Sequence, residues 1–104
     1  MHIIWSAPAK YDLKAIFEFN LKVISKDKAF EIIDDIFKAT EIFVLPNIDT
    51  KKIGQIELDL MNRPFEYRYL VSGHHKIIYF LDLENIIVTH VFDSRQNPQK
   101  KIKP

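Results

Sequence analysis

The sequence predicts an α+β fold in which two helices form a hairpin that packs on a small, mostly antiparallel sheet. Three observations support this fold. The first half of the chain has apolar residues at three- and four-residue spacing, the second half has three β-rich runs at regular intervals, and 104 residues is the usual size of one domain. We therefore expect residues 1–104 to form a single domain with the element order β-α-α-β-β-β.

The chain begins with a short strand that leads into a helix. His2 to Trp5 is rich in β-forming residues. Ser6 followed by Pro8 is typical of a helix start, because a capping hydroxyl precedes a proline in the first turn, where a missing N–H does no harm. The apolar spacing that follows predicts an amphipathic first helix from about Ala9 to Ile24.

A second helix follows after a very short connection. Ser25 and Asp27 end the first helix and can cap the next one. Helical spacing then continues from about Lys28 to Val44, and Pro46 stops it because proline cannot extend a helix. So short a connection favours an antiparallel helical hairpin, whose apolar stripes the C-terminal half must cover.

The C-terminal half predicts a loop and then a three-stranded meander. Asn47 to Met61 is irregular and is expected to be mostly loop. Three strands are expected at Glu66 to Val71, Lys76 to Leu81 and Ile86 to Phe92. Since Ile77 to Leu81 is apolar on both faces, the middle run is expected to be the central strand.

Composition excludes several classes of function. Hydrophobic residues make up 47% and charged residues 28%, which is ordinary for a globular protein. With only Gly54 and Gly73, the chain has no glycine-rich phosphate-binding loop, and without cysteine it has neither disulfides nor Cys-based zinc sites. No secretory leader or membrane-length apolar stretch is visible. We expect a cytoplasmic protein with no metal, no cofactor and no membrane association.

The basic side chains are concentrated at the C-terminus. Residues 95–104 hold four of the 15 Lys and Arg residues and none of the 14 Asp and Glu residues. The four are Arg95, Lys100, Lys101 and Lys103. Such a basic tail suits an acidic partner, which could be nucleic acid or an acidic protein segment, although a simply solvated terminus has the same composition.

Several short signatures, in the right order along nearly the whole chain, resemble the RelE/ParE family of bacterial toxins. An arginine enters a strand, a glycine turn follows, a basic residue stands two positions before an Ile-Tyr pair, and the last strand runs into a polar, arginine-containing end. At the N-terminus, a strand-to-helix junction resembles the family's opening. These signatures are Tyr67–Val71, Gly73, Lys76 with Ile78 and Tyr79, Val91–Pro98, and Trp5–Ala9 followed by Asp12 and Leu13.

The resemblance implies a toxin of a type II toxin–antitoxin system, of the kind linked to growth inhibition and plasmid stabilization. Its partner would be a cognate antitoxin that wraps the helical hairpin and the sheet in a hetero-oligomer. RelE-like members enter the ribosome and cut mRNA, using basic residues and often a terminal Tyr or His. ParE-like members inhibit DNA gyrase and lack that set.

Only some of the residues that RelE-like toxins use to cut RNA have counterparts in this chain. Arg68, Lys76 and Arg95 correspond to basic positions of RelE-like toxins and would bind or activate RNA if this chain were an mRNA interferase. Glu66, however, stands where those toxins have a second lysine, and a carboxylate repels a phosphodiester. Arg95 does not discriminate, because ParE-like sequences commonly have an arginine there.

The other candidate groups have structural explanations. The tail ends without the Tyr or His of the RNA-cutting members. Three histidines of the C-terminal half are expected to be strand or turn residues, and three tyrosines of the same half are expected to pack in the sheet. They are His74, His75 and His90, and Tyr67, Tyr69 and Tyr79. We therefore assign no catalytic residue, and expect Arg95 and the tail lysines to contact the target or the antitoxin.

These observations favour a ParE-like toxin that inhibits DNA gyrase without being an enzyme. Two alternatives stay open at this point. The chain could be a ribosome-dependent endoribonuclease of the RelE-like branch, with ribosome and mRNA as partners. It could also be a non-toxic module of the same fold that only binds its antitoxin.

Overall fold

A computed structural model of the chain describes residues 2–45, 49 and 53–95. Its helices and strands occur in the order expected from the sequence, with one additional strand. They are β1 (His2–Trp5), α1 (Ala7–Val23), α2 (Lys26–Thr40), β2 (Gln55–Ile56), β3 (Arg68–Ser72), β4 (His75–Asp82) and β5 (Asn85–Asp93), with short 3₁₀ turns at Glu41–Val44 and Leu58–Leu60. Because residues 96–104 lie outside this description, the assignment of all 104 residues to one domain stays a prediction.

The five strands form one sheet in the order β1-β5-β4-β3-β2. β1 is parallel to β5, and every other neighbouring pair is antiparallel. The α+β fold with a helical hairpin on a mostly antiparallel sheet is therefore confirmed, and β4 is the central strand, as its apolar run predicts. Neither helix in the described ranges combines the length and hydropathy needed to cross a membrane.

β2 adds a two-residue strand to the segment from Asn47 to Met61, which the sequence predicts to be mostly loop. Within the described part of that segment, Gln55 and Ile56 pair with Tyr69 and Arg68 of β3. Two residues are too few to produce a recognisable period, so this strand exists through its pairing with β3 and not through a pattern of its own. Residues 46–48 and 50–52 lie outside the described ranges.

Gly54 lets the chain enter β2 close to the sheet. Its φ of +73° is in the left-handed region that favours glycine. A Cβ added there would clash with the hydroxyl of Tyr79 and would come within 2.7 Å of the carbonyl oxygen of Tyr69. The Tyr79 hydroxyl donates a hydrogen bond to the carbonyl oxygen of Ile53, next to this glycine, so the close approach also satisfies a buried phenol.

Serine side chains cap both helices. The hydroxyl of Ser6 accepts a hydrogen bond from the backbone N–H of Ala9, and the hydroxyl of Ser25 accepts one from Lys28, at 3.2 and 3.1 Å. Each serine satisfies an N–H that has no partner inside its helix. Both caps were predicted from the sequence.

Side chains at the start of α1 form hydrogen bonds with backbone groups around a β-bulge in β5. The pairing register between β4 and β5 shifts by one residue, so that Thr89 is the extra residue of a β-bulge. Ser6 donates its hydroxyl to the carbonyl oxygen of Thr89 at 3.1 Å, and a carboxylate oxygen of Asp12 accepts from the backbone N–H of Val91 at 3.0 Å. Two side chains from the first turns of α1 thus satisfy backbone groups around the bulge.

Packing divides the sheet into two unequal faces. The main core lies between the helical hairpin and one face, and a small cluster covers part of the other face. The main core contains Ala9, Ile36, Phe43, Ile77, Tyr79, Ile86, Val88 and Val91, and the small cluster contains Leu60, Ile78 and Phe92 with Tyr67 and Tyr69 at its edge. Tyr79 is therefore a core residue, and Tyr67 and Tyr69 are half-buried, as expected for tyrosines that pack in a sheet.

The two serine caps give a matched test of this architecture. Ser6→Ala should lower the free energy of unfolding by about 1–3 kcal/mol, since it removes a cap and a hydrogen bond to the bulge. Ser25→Ala removes a cap alone and should cost about 1 kcal/mol or less. Urea unfolding of both variants measures the difference, and equal losses would contradict a role for Ser6 beyond capping.

Candidate functional site

Arg68 lies on the face of the sheet that the helices cover. It is the cross-strand partner of the buried Tyr79, and residues paired in this way share a face. Its Nε donates to a carboxylate oxygen of Glu66 at 2.9 Å, and one of its Nη atoms donates to the carbonyl oxygen of Gly54 at 3.3 Å. Arg68 is therefore already paired with a carboxylate and tied to the turn before β2.

Lys76 lies on the opposite face. It precedes Tyr79 by three positions on β4, and an odd separation in a strand points two side chains to opposite faces. Its Nζ lies 2.9 Å from Oε2 of Glu57 and 4.0 Å from the centroid of the Tyr69 ring. Only 19% of the Lys76 side chain and 3% of the Glu57 side chain are exposed. The lysine is thus enclosed by an anion and an aromatic ring.

Arg95 follows β5 and is also paired. Its guanidinium donates to both carboxylate oxygens of Asp93, with the shortest distance, 2.6 Å, between Nη2 and Oδ2. This hydrogen bonding, together with the backbone N–H and the positive charge of Arg95, lowers the pKa of Asp93 to about 2, against a smaller opposing effect of burial. The carboxylate is therefore ionised across the physiological range.

The structure does not bring the three basic candidates together. Arg68 and Lys76 point to opposite faces, and Arg95 stands at the end of the sheet where Asp93 pairs with His75. Each cation has its own carboxylate partner, so none is available to a phosphate without breaking an ion pair. The set Arg68, Lys76 and Arg95 does not form a joint phosphate site in this conformation.

His74 and His75 are neighbours where β3 turns into β4, and His90 lies on β5. His74 is exposed in the β3–β4 turn, and His75 and His90 are half-buried. Burial is the main cause that lowers the pKa of both His75 and His90, so each imidazole favours its neutral form. In the described ranges, no group of three or more His, Cys, Asp and Glu side chains could hold a metal ion.

A groove of about 610 Å³ lies between the helical hairpin and the end of the sheet where β3 turns into β4. Apolar side chains of both helices and of β5 line it. They include Ile16, Phe19, Ile24, Ile32 and Val91. Phe19 is 63% exposed and Ile24 is 58% exposed, although both sit in apolar positions of the predicted α1 stripe. We call this feature the hairpin groove.

Charged and polar residues of both signs surround the hairpin groove. Lys28 and Asp35 contribute from α2, and His74 and Arg95 contribute from the sheet end. An apolar floor with a mixed polar rim fits a protein segment that buries an apolar stripe. Sequence analysis missed the groove because apolar spacing in α1 does not reveal which positions the sheet leaves uncovered. The sequence feature that could have indicated the groove is the apolar stripe of α1, which is wider than the part of the helix surface that packs on the sheet.

Comparison with known proteins supports the fold. Neither a model of a known protein family nor a curated protein matches the sequence. Nine chains of solved structures match. One of them, from the chromosomal ParDE toxin–antitoxin (TA) system of P. aeruginosa, superposes with a TM-score of 0.69 at 19% sequence identity, over 89% of this chain and 95% of that chain. This similarity confirms the fold that the resemblance to RelE/ParE toxins predicted.

The Asp93–Arg95 pair makes a pH-dependent prediction. Because the pKa of Asp93 in the folded chain lies below the usual 3.8, its ion pair contributes stability that is present above about pH 4 and is lost as the pH falls toward 2. Arg95→Gln should raise the pKa of Asp93 part of the way to 3.8, since the backbone N–H of residue 95 still donates to the carboxylate. Carbon-detected NMR titration measures this pKa. Arg63→Gln, which removes the same charge elsewhere, should leave it unchanged.

Proposed function

We propose that this chain is the toxin of a type II toxin–antitoxin pair, of the ParE-like kind, which inhibits DNA gyrase and is silenced by a cognate antitoxin. The shared fold with a chain of a ParDE system supports the general class. The choice of gyrase over the ribosome depends on the site and not on the fold, because one fold can serve several functions. Such a toxin would act in the cytoplasm, in a hetero-oligomer with its antitoxin until released.

The observation that carries this proposal is the pairing of Arg68, Lys76 and Arg95, each with a carboxylate. RNA cleavage needs positive charge on the scissile phosphate and groups that donate and accept protons beside it. Here Arg68 is paired with Glu66, Lys76 with Glu57, and Arg95 with Asp93. Removing a buried partner from such a pair is expensive, so RNA would have to compete with an internal ligand at Lys76. Inhibition by surface contact requires no such rearrangement.

The hairpin groove is the surface that we assign to the antitoxin. Its apolar floor would cover an apolar stripe of the antitoxin segment, and Lys28 and Asp35 would set its orientation through charge. The exposed Phe19 ring is the strongest candidate for an anchor, because aromatic residues in such positions carry a large share of binding energy.

The basic tail remains part of the proposal. Lys100, Lys101 and Lys103 lie outside the described residues, so their role rests on charge alone. Arg95, the first basic residue of this segment, lines the hairpin groove. We assign the tail to contact with an acidic segment of the antitoxin or with the target.

The test of the target compares two activities of the purified chain. We expect it to inhibit gyrase-catalysed DNA supercoiling at concentrations at which it leaves mRNA on programmed ribosomes intact. Induction in cells without the antitoxin should then arrest growth and relax plasmid DNA. Cleaved transcripts with normal supercoiling would reject the gyrase target and support the mRNA interferase. Normal growth with normal supercoiling would support a non-toxic antitoxin-binding module.

A matched pair of α1 variants tests the antitoxin surface. Phe19→Asp should weaken antitoxin binding by about 30-fold or more, which corresponds to the loss of about 2 kcal/mol expected for an aromatic anchor. Tyr11→Asp is the control, since Tyr11 is 73% exposed on the same helix and does not line the hairpin groove. Isothermal titration calorimetry with the antitoxin measures both affinities. Equal affinities for the two variants would indicate that the antitoxin binds another surface.

A further inference from the structure

We infer that an apolar strip on the helical hairpin, on the side away from the hairpin groove, is the surface on which a second copy of this chain docks to form a two-fold symmetric dimer. The strip has a positively charged flank on α1 and a negatively charged flank on α2. We call it the outer strip, and its residues are Trp5, Phe17, Leu21, Phe30 and Phe37. The inference does not depend on which target the chain inhibits.

Ring contacts join the outer strip across both helices and β1. The ring of Phe17 on α1 meets the ring of Phe30 on α2 edge to face, with centroids 4.9 Å apart. The ring of Trp5 at the end of β1 meets that of Phe37 in the same way at 5.1 Å. Phe30 and Phe37 are two turns apart on one face of α2, and Leu21 follows Phe17 by one turn on α1. The five side chains therefore form one surface.

Much of the outer strip is open to water in the part of the chain that the structure describes. Phe30 is 54% exposed, Phe37 is 43% exposed and Leu21 is 42% exposed. Large side chains exposed singly are common, but a joined set of them marks an interaction surface. Burying them against a partner removes apolar area from water, which is favourable.

The outer strip is separate from the hairpin groove. Phe19, which lines the groove, follows Phe17 by two positions, and a helix turns by about 200° over two residues. The lining of the groove contains none of the five residues of the outer strip. A dimer formed through the outer strip therefore leaves the groove open to an antitoxin.

The charges on the two helices favour a second copy as the occupant. The exposed charged residues of α1 are three lysines and one glutamate, whereas those of α2 are three lysines and four acidic residues. A two-fold interface must be complementary to itself. Rotation about an axis parallel to the helices lays α1 of one copy over α2 of the other, so that the positive flank meets the negative flank on both sides. A partner with charge of one sign would be repelled by one flank.

The same rotation pairs Lys14 of each copy with Asp34 of the other. Because Phe17 meets Phe30 across the antiparallel hairpin, Lys14, about one turn before Phe17, is level with Asp34, about one turn after Phe30. Both side chains are more than half exposed, and each has an oppositely charged neighbour four positions away on its own helix, at 3.9 and 2.9 Å. Exposed pairs of this kind are weak, so they exchange or share partners at little cost.

Sedimentation velocity of the purified full chain tests the surface. At about 100 μM we expect a mixture of monomer and dimer, as for a small, transient interface. Phe30→Asp should weaken self-association at least tenfold, because it places a charge in the centre of the outer strip. Leu58→Asp adds the same charge at a 71% exposed residue outside the helices and should change it by less than threefold. An unmodified chain that stays monomeric, or equal losses in both variants, would overturn the inference. A monomeric chain whose Phe30→Asp variant loses affinity for the antitoxin would assign the outer strip to the antitoxin instead.

Charge reversal at exposed positions keeps the test decisive if Phe30→Asp folds poorly. Lys14→Glu and Asp34→Lys should each weaken self-association about tenfold, because like charges then meet at both symmetric contacts. Mixing the two variants should restore it within threefold, since both contacts of the mixed dimer join opposite charges. Native mass spectrometry with one variant labelled with ¹⁵N identifies that mixed dimer. No recovery on mixing would reject the proposed docking, because a change confined to one chain is not repaired by another. The gyrase test measures DNA supercoiling and these experiments measure mass, so either proposal can fail while the other stands.

Discussion

The attachment of α1 to the bulge in β5 determines where the helical hairpin lies on the sheet. β5 is an interior strand between β1 and β4, and its bulge leaves backbone groups that need partners. Ser6 and Asp12 provide them from the first turns of α1. Since the helix is fastened at that end, its later turns, with Phe19 and Ile24, border the hairpin groove instead of a covered core. These polar contacts, together with the packing of the main core, leave Phe19 and Ile24 exposed.

Local chain geometry explains two of the three carboxylate pairs. Glu66 and Arg68 are two residues apart at the start of β3 and share a face of the strand. Asp93 and Arg95 meet at the turn that follows β5, where the Asp93 carboxylate also accepts the backbone N–H of Arg95. Both pairs can be foreseen from the sequence once the strands are assigned. The Glu57–Lys76 pair cannot, because it depends on how the segment around β2 returns to the sheet. Sequence spacing places Lys76 on a strand but gives no information about the anion that meets it.

Elements that follow from local sequence patterns were predictable, and elements that depend on tertiary contacts were not. The helices, the three long strands and both serine caps follow from local patterns, and the structure reproduces them within a few residues. β2 has only Gln55 and Ile56, so its existence depends on a tertiary partner. The hairpin groove could not be predicted because its residues do follow a local pattern, but the wrong one. Phe19 and Ile24 obey the helical pattern of core residues, and only the packed arrangement reveals that nothing in the described chain covers them.

The two faces of the sheet therefore present different kinds of surface. The helix side presents an open apolar groove, where affinity depends on shape and buried area. The opposite side presents a cation and aromatic rings that the chain's own carboxylate closes off. A surface of the first kind needs no reactive constellation, so it leaves little trace in a single sequence. On the second face the lysine is visible in the sequence, but its pairing with a carboxylate 19 positions earlier in the chain is not. For this fold, the partners of the basic residues are therefore more informative about chemistry than the basic residues themselves.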